Sequence, residues 1–511
     1  MNNHNRRRIF TLGILSSFGS QVFSVVIGFA SVPIGLAYFG PTRYGVWMVI
    51  ASMLVYLNAT QFGIGTATST LIAKTPQRTE QRVIIFYSFI LLLFSSLAFL
   101  LLTFVAGKYP HSWLPIFGKI PSLLQDEVIM ATLMFVMLFL IRLPMIPFAT
   151  AFIGLQQLHW EKFYSLILPA IINFSGLLVT VHLRGDLVMV AVLNGSGNIL
   201  IATVCAGHLF IQHKELRLKW PENILKNPFA KHIVVSGWRF LVIGLAAMLV
   251  WNTDNLVISY FLGPEHVAAY AITFKLFTII YSIFMVINAT LWPMYGKAAS
   301  ENNWGWISRV YGDAFTILPV LGGFVWICGI VFAKEIILMW TGPSGYGGAL
   351  VVFALGGYGY TVSLNNTHAN LLGGLNAIRG TLWLGIFEAV LNLGLSITLV
   401  TLLGIGGVAL GTFLSALLSV TWLLPIYVAR QTQGKVRMDW QPIVKHALFA
   451  VIPCLAVALI LNEYMTGWVG FVIKLPLIAI YLVISGIMIP PNTLTRMKKS
   501  ITPYRLGLNE N

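Results

Sequence analysis

Among the ionisable residues inside long apolar stretches of this 511-residue chain, Arg142, Arg239, Asp254, Lys275 and Glu388 are the ones whose types and positions could do chemistry. A charge at the centre of a bilayer costs about 2.5–3.5 kcal/mol or more, so each needs a partner, a wet cavity or a task. Asp254 precedes the turn at Pro264–Glu265 by about ten residues, and Lys275 follows it by about ten. At about 1.5 Å per helical residue, both lie roughly 15 Å deep on the two arms of one hairpin. They read as a buried ion pair or as a proton- or cation-sensitive switch, and the two readings are compatible. Arg142, beside Pro144 and Pro147, has no acidic residue in its own stretch. A guanidinium keeps its charge and grips phosphate through two parallel bonds. The expectation is a contact to an anionic, phosphate-bearing substrate; the alternative is a structural pair with another helix. Arg239 can do the same or extend its head to the inner surface. Arg142, Arg239 and Lys275 are therefore the candidate substrate-binding residues. Asp254 and Glu388 are the candidate coupling or switch residues, with Glu388 able to pair with Arg142 or Arg239 or to carry protons.

The elements that hold these residues are set by composition. Of the chain, 57% is hydrophobic and 9% charged, against about 25% charged in an ordinary soluble domain. A water-soluble globule cannot hide so much apolar surface, so a soluble enzyme, a nucleic-acid-binding domain and a disordered tail are excluded. Apolar runs of the length that crosses a bilayer, about 20 residues, occur fourteen times: 9–39, 44–71, 83–106, 128–155, 164–182, 188–210, 233–261, 267–294, 309–333, 348–373, 381–402, 407–430, 447–463 and 468–489. The fold class is all-α and polytopic, and both the runs' length and their continuity argue against a β-barrel. With the N-terminus inside, 23 of the 32 Lys and Arg fall on inner loops and tails and five on outer loops. That asymmetry orients the chain with both termini cytoplasmic. Arg6, Arg7 and Arg8 precede a run too long for a signal core, which reads as a retained first helix. Asp313 and Lys474 read as interfacial. His368, with Asn365, Asn366 and Asn370, forms a polar patch that either lines a cleft or bonds helices together.

Tyr38-Phe39-Gly40-Pro41 ends the first run, and Tyr260-Phe261-Leu262-Gly263-Pro264 ends the seventh. One turn used twice, six spans apart, predicts two six-helix lobes related by a pseudo-two-fold along the membrane normal. The expected division is 1–210 for the first lobe, 211–232 for a basic linker, 233–430 for the second lobe, 431–489 for helices 13 and 14, and 490–511 for a tail. The linker reads either as an amphipathic segment on the anionic inner leaflet or as a solvated connector. Cys205, Cys328 and Cys454 each sit in an apolar run and read as core residues. No Walker A motif, nucleophile elbow, zinc signature or dinucleotide fingerprint is present. No cofactor and no nucleic-acid partner are expected, and the chain does not read as an enzyme.

Three stretches carry a family likeness: Gln61-Phe62-Gly63-Ile64-Gly65 in the second run, Asp254 and Tyr270 around the seventh-to-eighth turn, and Asn392 with Gly404-Ile405-Gly406-Gly407-Val408-Ala409-Leu410-Gly411-Thr412. The chain resembles the Wzx-type O-antigen and capsule flippases, the polysaccharide-transporter branch of the multidrug/oligosaccharidyl-lipid/polysaccharide exporter superfamily. Gln61 departs from an acidic residue often found there. The resemblance implies two lobes around a cationic cavity in the bacterial inner membrane. It implies movement of an undecaprenyl-pyrophosphate-linked oligosaccharide from the cytoplasmic to the periplasmic leaflet by alternating access. The implied partners are that lipid-linked oligosaccharide, membrane lipids and polysaccharide polymerase machinery. The alternatives are a cation-coupled multidrug exporter of the same superfamily and a membrane glycan polymerase or ligase. The orientation is checked with single cysteines in a chain lacking Cys205, Cys328 and Cys454. In spheroplasts a membrane-impermeant maleimide is expected to label Lys119→Cys and to miss Lys219→Cys; the reverse pattern inverts the topology.

Overall fold

The computed structural model describes residues 3–220, 229–238, 240–241, 253–289, 291–464, 467–491 and 493. Among them there are helices and turns but no strand. In chain order the helices are α1 (Asn3–Leu57), α2 (Ile64–Lys74), α3 (Arg78–Lys108), α4 (Ser122–Arg142), α5 (Ile146–Gly154), α6 (Leu158–Lys162), α7 (Leu168–His182) and α8 (Leu187–Gln212). They continue with α9 (Asp254–Leu262), α10 (Pro264–Ala289), α11 (Leu291–Ser300), α12 (Trp304–Thr341), α13 (Ala349–Gly374), α14 (Ile378–Leu403) and α15 (Ile405–Leu418). The last are α16 (Val420–Gln431), α17 (Gln441–His446), α18 (Ile452–Tyr464) and α19 (Gly467–Met488). Nine helical segments among the described residues are long and apolar enough to cross a membrane, and Val472–Met488 is a shorter apolar helix. Large apolar side chains such as Leu101, Phe104 and Leu123 face outward, as a lipid solvent permits.

The chain divides into two compact units: residues 1–248 with 262–267, and residues 249–261 with 268–511. The glycine of the repeated turn has a positive φ in both places. Gly40 has φ 69° and Gly263 φ 101°, conformations that glycine adopts without a Cβ clash. Each is followed by a proline that fixes the next φ.

In the first unit the expected spans are interrupted. The second breaks between α1 and α2, where Asn58–Gln61 is a 3₁₀ turn and Phe62 takes a left-handed conformation (φ 49°). The fourth breaks at the 3₁₀ turn Leu143–Met145. The fifth carries a π-helical turn, Phe163–Ile167, between α6 and α7. Freed backbone groups are met by neighbouring helices. Pro144 has no N–H for the Leu140 carbonyl, which accepts instead from the Leu143 N–H in the turn and from Ser96 Oγ on α3 at 2.7 Å. Ser95 Oγ donates to the Thr60 carbonyl at 2.7 Å. The core around these breaks is apolar, with Ile84, Ile85, Leu92, Leu140, Leu143 and Phe152 buried together.

In the second unit α14 and α15 form a hairpin whose backbones nearly touch. A Cβ on Gly407 would lie 2.0 Å from the Leu399 carbonyl oxygen, and one on Gly411 would lie 2.8 Å from the Ser396 nitrogen. Helices α18 and α19 dock on α12 through polar contacts: Tyr481 OH donates to the Val320 carbonyl at 2.6 Å and Asn462 Nδ2 to that of Ile330 at 2.6 Å. Lys474 takes part in this docking. It is fully buried, with Nζ donating to Asn462 and lying 3.5 Å from Glu335 Oε1. Asp313 is buried as well. The sequence shows the break Lys474 makes in an apolar run, but not the acceptors on two other helices that make burial tolerable. Gly407→Val is expected to lower the melting temperature of the detergent-purified protein by several degrees through overpacking. Gly394→Ala, where a Cβ meets open space, should leave it unchanged.

Candidate functional site

All three interruptions of the first unit face one cavity of about 150 Å³. The break in the second span supplies Asn58 and Gln61, the break in the fourth supplies Arg142 and Met145, and the π-turn region supplies Glu161, Tyr164 and Ser165. Helix α8 closes it with Ile201, Ala202 and Cys205. Discontinuous helices at membrane depth are tolerated where they line such a cavity, and π-turns cluster at functional sites. Arg142 is half-buried, and among the described residues it makes no hydrogen bond or ion pair. Glu161 is buried. Its Oε1 accepts from Ser165 Oγ at 2.8 Å, and its Oε2 lies 3.1 Å from Lys162 Nζ without hydrogen-bonding geometry. Tyr164 OH is 3.1 Å from His208 Nδ1, and Trp160 packs edge-on to the same imidazole at 4.3 Å. A small, mostly apolar hollow that holds a guanidinium without a hydrogen-bond partner can take an anionic oxygen. The buried Glu161 carboxylate gives it a negative counterweight that disfavours indiscriminate anion trapping.

The second unit holds a buried carboxylate. Asp254 Oδ2 accepts from Tyr270 OH and from Thr412 Oγ1, the latter at 3.0 Å. Asn392 Nδ2 reaches the same Thr412 hydroxyl at 3.0 Å. Asp254 Oδ1, Asn392 Oδ1 and Ser396 Oγ are buried without a hydrogen-bond partner among the described residues. The Gly407 and Gly411 approach is what brings Asn392 on α14 against Thr412 on α15. Glu388, Asn392 and Ser396 follow at intervals of one turn and are all buried, so they form one polar stripe along α14. The cluster thus joins α9, α10, α14 and α15.

The sequence-based candidates fall as follows. Arg142 lines the first cavity. Asp254 is buried at the centre of the second cluster, and Glu388 lies one turn from Asn392 on the α14 stripe. Glu388 makes no hydrogen bond or ion pair among the described residues. Lys275 is half-buried on α10, five residues beyond Tyr270. The hairpin count sets Asp254 level with Lys275, but the hydrogen bonds of Asp254 go to Tyr270 and Thr412. Arg239 lies outside the described residues. His368 is a core histidine, its Nδ1 2.6 Å from Tyr311 OH. Sequence reasoning missed Glu161 and Tyr164. The signal for them is a carboxylate at the very start of an apolar run, followed eight residues later by Pro169.

Residues 10–299, more than half of the chain, match the family described as Polysaccharide biosynthesis protein. The chain belongs to that family. Residues 241–367 also match the MatE family. A Salmonella typhimurium protein named as an O-antigen transporter is 24% identical over 427 residues, which cover 82% of this chain and 96% of that relative. A Yersinia pseudotuberculosis protein named as an O-antigen export protein is 24% identical over 443 residues, covering 83% and 96%. Among solved structures, the fold is similar to the lipid II flippase MurJ in an inward closed conformation (TM-score 0.69, 14% identity, 93% of this chain and 98% of that one). It is also similar to an inward-facing MATE multidrug transporter of the MOP superfamily (TM-score 0.64, 15% identity, 80% and 96%). The family thus has the helical, multi-pass membrane fold expected from the sequence. For this member, Thr412→Val removes a hydroxyl donor from the buried Asp254 carboxylate at nearly constant volume. It is expected to cost about 1–3 kcal/mol of stability, read as a lowered melting temperature, while Thr412→Ser keeps the bond and stays close to the parent.

Proposed function

We propose that this protein moves an undecaprenyl-pyrophosphate-linked oligosaccharide, a repeat unit of O-antigen, capsule or exopolysaccharide, from the cytoplasmic to the periplasmic leaflet of the bacterial inner membrane. The observation that carries this reading is Arg142: a guanidinium at membrane depth, without a protein partner among the described residues, on a cavity built from three helix breaks. Such a group is costly unless an anion meets it. Membership in a polysaccharide biosynthesis family and two relatives named for O-antigen transport supply the class of anion. Arg142 takes a phosphate oxygen of the pyrophosphate through charge-assisted hydrogen bonds, with Arg239 and Lys275 as further cationic contacts. The sugars travel in water and the lipid tail stays in the bilayer.

Asp254 and Glu388 are the coupling or switch residues in this reading. Both are buried carboxylates: Asp254 is bonded into a network that joins four helices, and Glu388 lies one turn from its Asn392, so gain or loss of a cation at either would change the packing there. The fold's likeness to MATE family transporter structures in an inward-facing and in an outward-facing conformation supports alternating access. No bond of the substrate is made or broken, so the protein is a transporter and not an enzyme. Both termini lie in the cytoplasm, and the polysaccharide polymerase that consumes the flipped unit is the expected downstream partner. The MatE match favours a second reading, cation-coupled drug export; an unpaired arginine on the cavity suits a cationic drug poorly.

Arg142→Gln is expected to cut surface glycan at least about tenfold, since a hydrogen bond to a charged group contributes about 1.5–3 kcal/mol. Membrane abundance should be unchanged and the lipid-linked intermediate should accumulate. Arg142→Lys should keep part of the activity. Asp254→Asn and Glu388→Gln should also lose glycan at normal abundance, with no change in drug resistance. Normal glycan in all of these variants would leave the charges as structural elements only.

A further inference from the structure

A second hollow, open and about 600 Å³ in volume, lies at the end of α16 in the unit that contains residues 268–511. Its position follows from how that helix stops. Gln433 and Gly434 take left-handed conformations (φ 51° and 77°). Thr432 Oγ1 then accepts from the Val436 backbone N–H at 3.2 Å. The turn sends the chain back over the helix end, with Arg437 Nη2 only 3.0 Å from where a Cβ on Gly434 would stand. Arg430, Gln433 and Arg437 form the polar rim. Both arginines are exposed, and among the described residues neither makes an ion pair or a hydrogen bond. Lys435 between them is committed elsewhere, its ammonium 4.9 Å from the Trp304 ring.

Ile426, one turn back from Arg430, also lines the hollow and is 64% exposed. Trp422, one turn further, is 50% exposed, and its indole stacks on Trp440, also in the lining, at 4.7 Å and 23°. Two unpaired guanidiniums thus stand directly above an apolar, aromatic stripe on a membrane helix. A freely soluble anion has no use for the stripe, and a zwitterionic lipid has little use for two cations. Charge above and hydrocarbon below match one ligand class. We propose that this hollow is a binding site for an anionic glycerophospholipid such as phosphatidylglycerol. The phosphodiester lies between Arg430 and Arg437, and an acyl chain lies along Ile426 and Trp422. By the distribution of basic residues, the bound lipid belongs to the cytoplasmic leaflet. The site stands apart from the Arg142 cavity and the Asp254 cluster, and its test requires no transport.

The test uses full-length protein purified in a neutral detergent and lipid retention read by native mass spectrometry. The probes are phosphatidylglycerol and phosphatidylcholine with matched acyl chains, and inorganic phosphate alone. The parent protein is expected to retain phosphatidylglycerol over phosphatidylcholine and to ignore inorganic phosphate. Arg430→Gln with Arg437→Gln should reduce phosphatidylglycerol retention about tenfold and leave phosphatidylcholine unchanged. Arg430→Lys with Arg437→Lys should retain most of it, and Lys119→Gln all of it. If the double glutamine variant does not fold, each single glutamine variant should show a partial loss. Equal retention of the two lipids by the parent, or unchanged retention in the glutamine variants, overturns the site. Inorganic phosphate that binds with the same dependence on the two arginines, and displaces phosphatidylglycerol, overturns the lipid and assigns the hollow to a free anion.

Discussion

Inside hydrocarbon no water is present to meet an unpaired polar group, and each backbone group left alone costs several kcal/mol. The architecture described here follows from that constraint. A chain of this apolarity must form helices, because only a helix meets its own backbone bonds in lipid. Every departure from the helix must then be repaired by a neighbour. The Leu140 carbonyl that Pro144 cannot serve accepts from the Leu143 N–H and from Ser96, and the Thr60 carbonyl at the second-span break accepts from Ser95. Both serines come from α3. That helix therefore does more than pack: it makes the discontinuities of two other helices affordable and so makes the cavity between them possible.

The same constraint sorts the buried charges. Lys474 is satisfied by Asn462 and Glu335, and its network fastens the last two helices to α12. Arg142 has no such partner among the described residues, and Asp254 keeps one oxygen unbonded. Satisfied charges hold the fold; incompletely satisfied ones are the candidates for function. This contrast, rather than the presence of charge, separates the structural lysine from the arginine and the carboxylate assigned to transport.

The two candidate regions are built by different local devices. Around Arg142 the helices are interrupted, so side chains from the breaks converge on a hollow. Around Asp254 the helices are continuous and pressed together, because Gly407 and Gly411 let α14 and α15 meet backbone to backbone. The first device makes space for a ligand. The second makes a tight polar contact around a buried carboxylate.

Much of this was legible in the residues. Composition required a membrane protein, because water cannot cover so much apolar surface. The repeated Gly-Pro turn was visible because glycine and proline fix backbone geometry by themselves, and Gly40 and Gly263 do share a positive φ. Asp254, Glu388 and Arg142 stood out because a charge in lipid demands a reason. What the tertiary structure decided was the company each charge keeps. Counting along a hairpin put Asp254 level with Lys275, but the depth of a residue does not give its direction around the helix. The carboxylate turned to Tyr270 and to Thr412, a residue 158 positions away. Glu161 and Tyr164 were hidden because a π-turn re-aims side chains without changing the apolar pattern. The partners of Lys474 were not legible because they lie on other helices. Sequence determines which groups lipid will not tolerate alone; only packing decides which of them find partners.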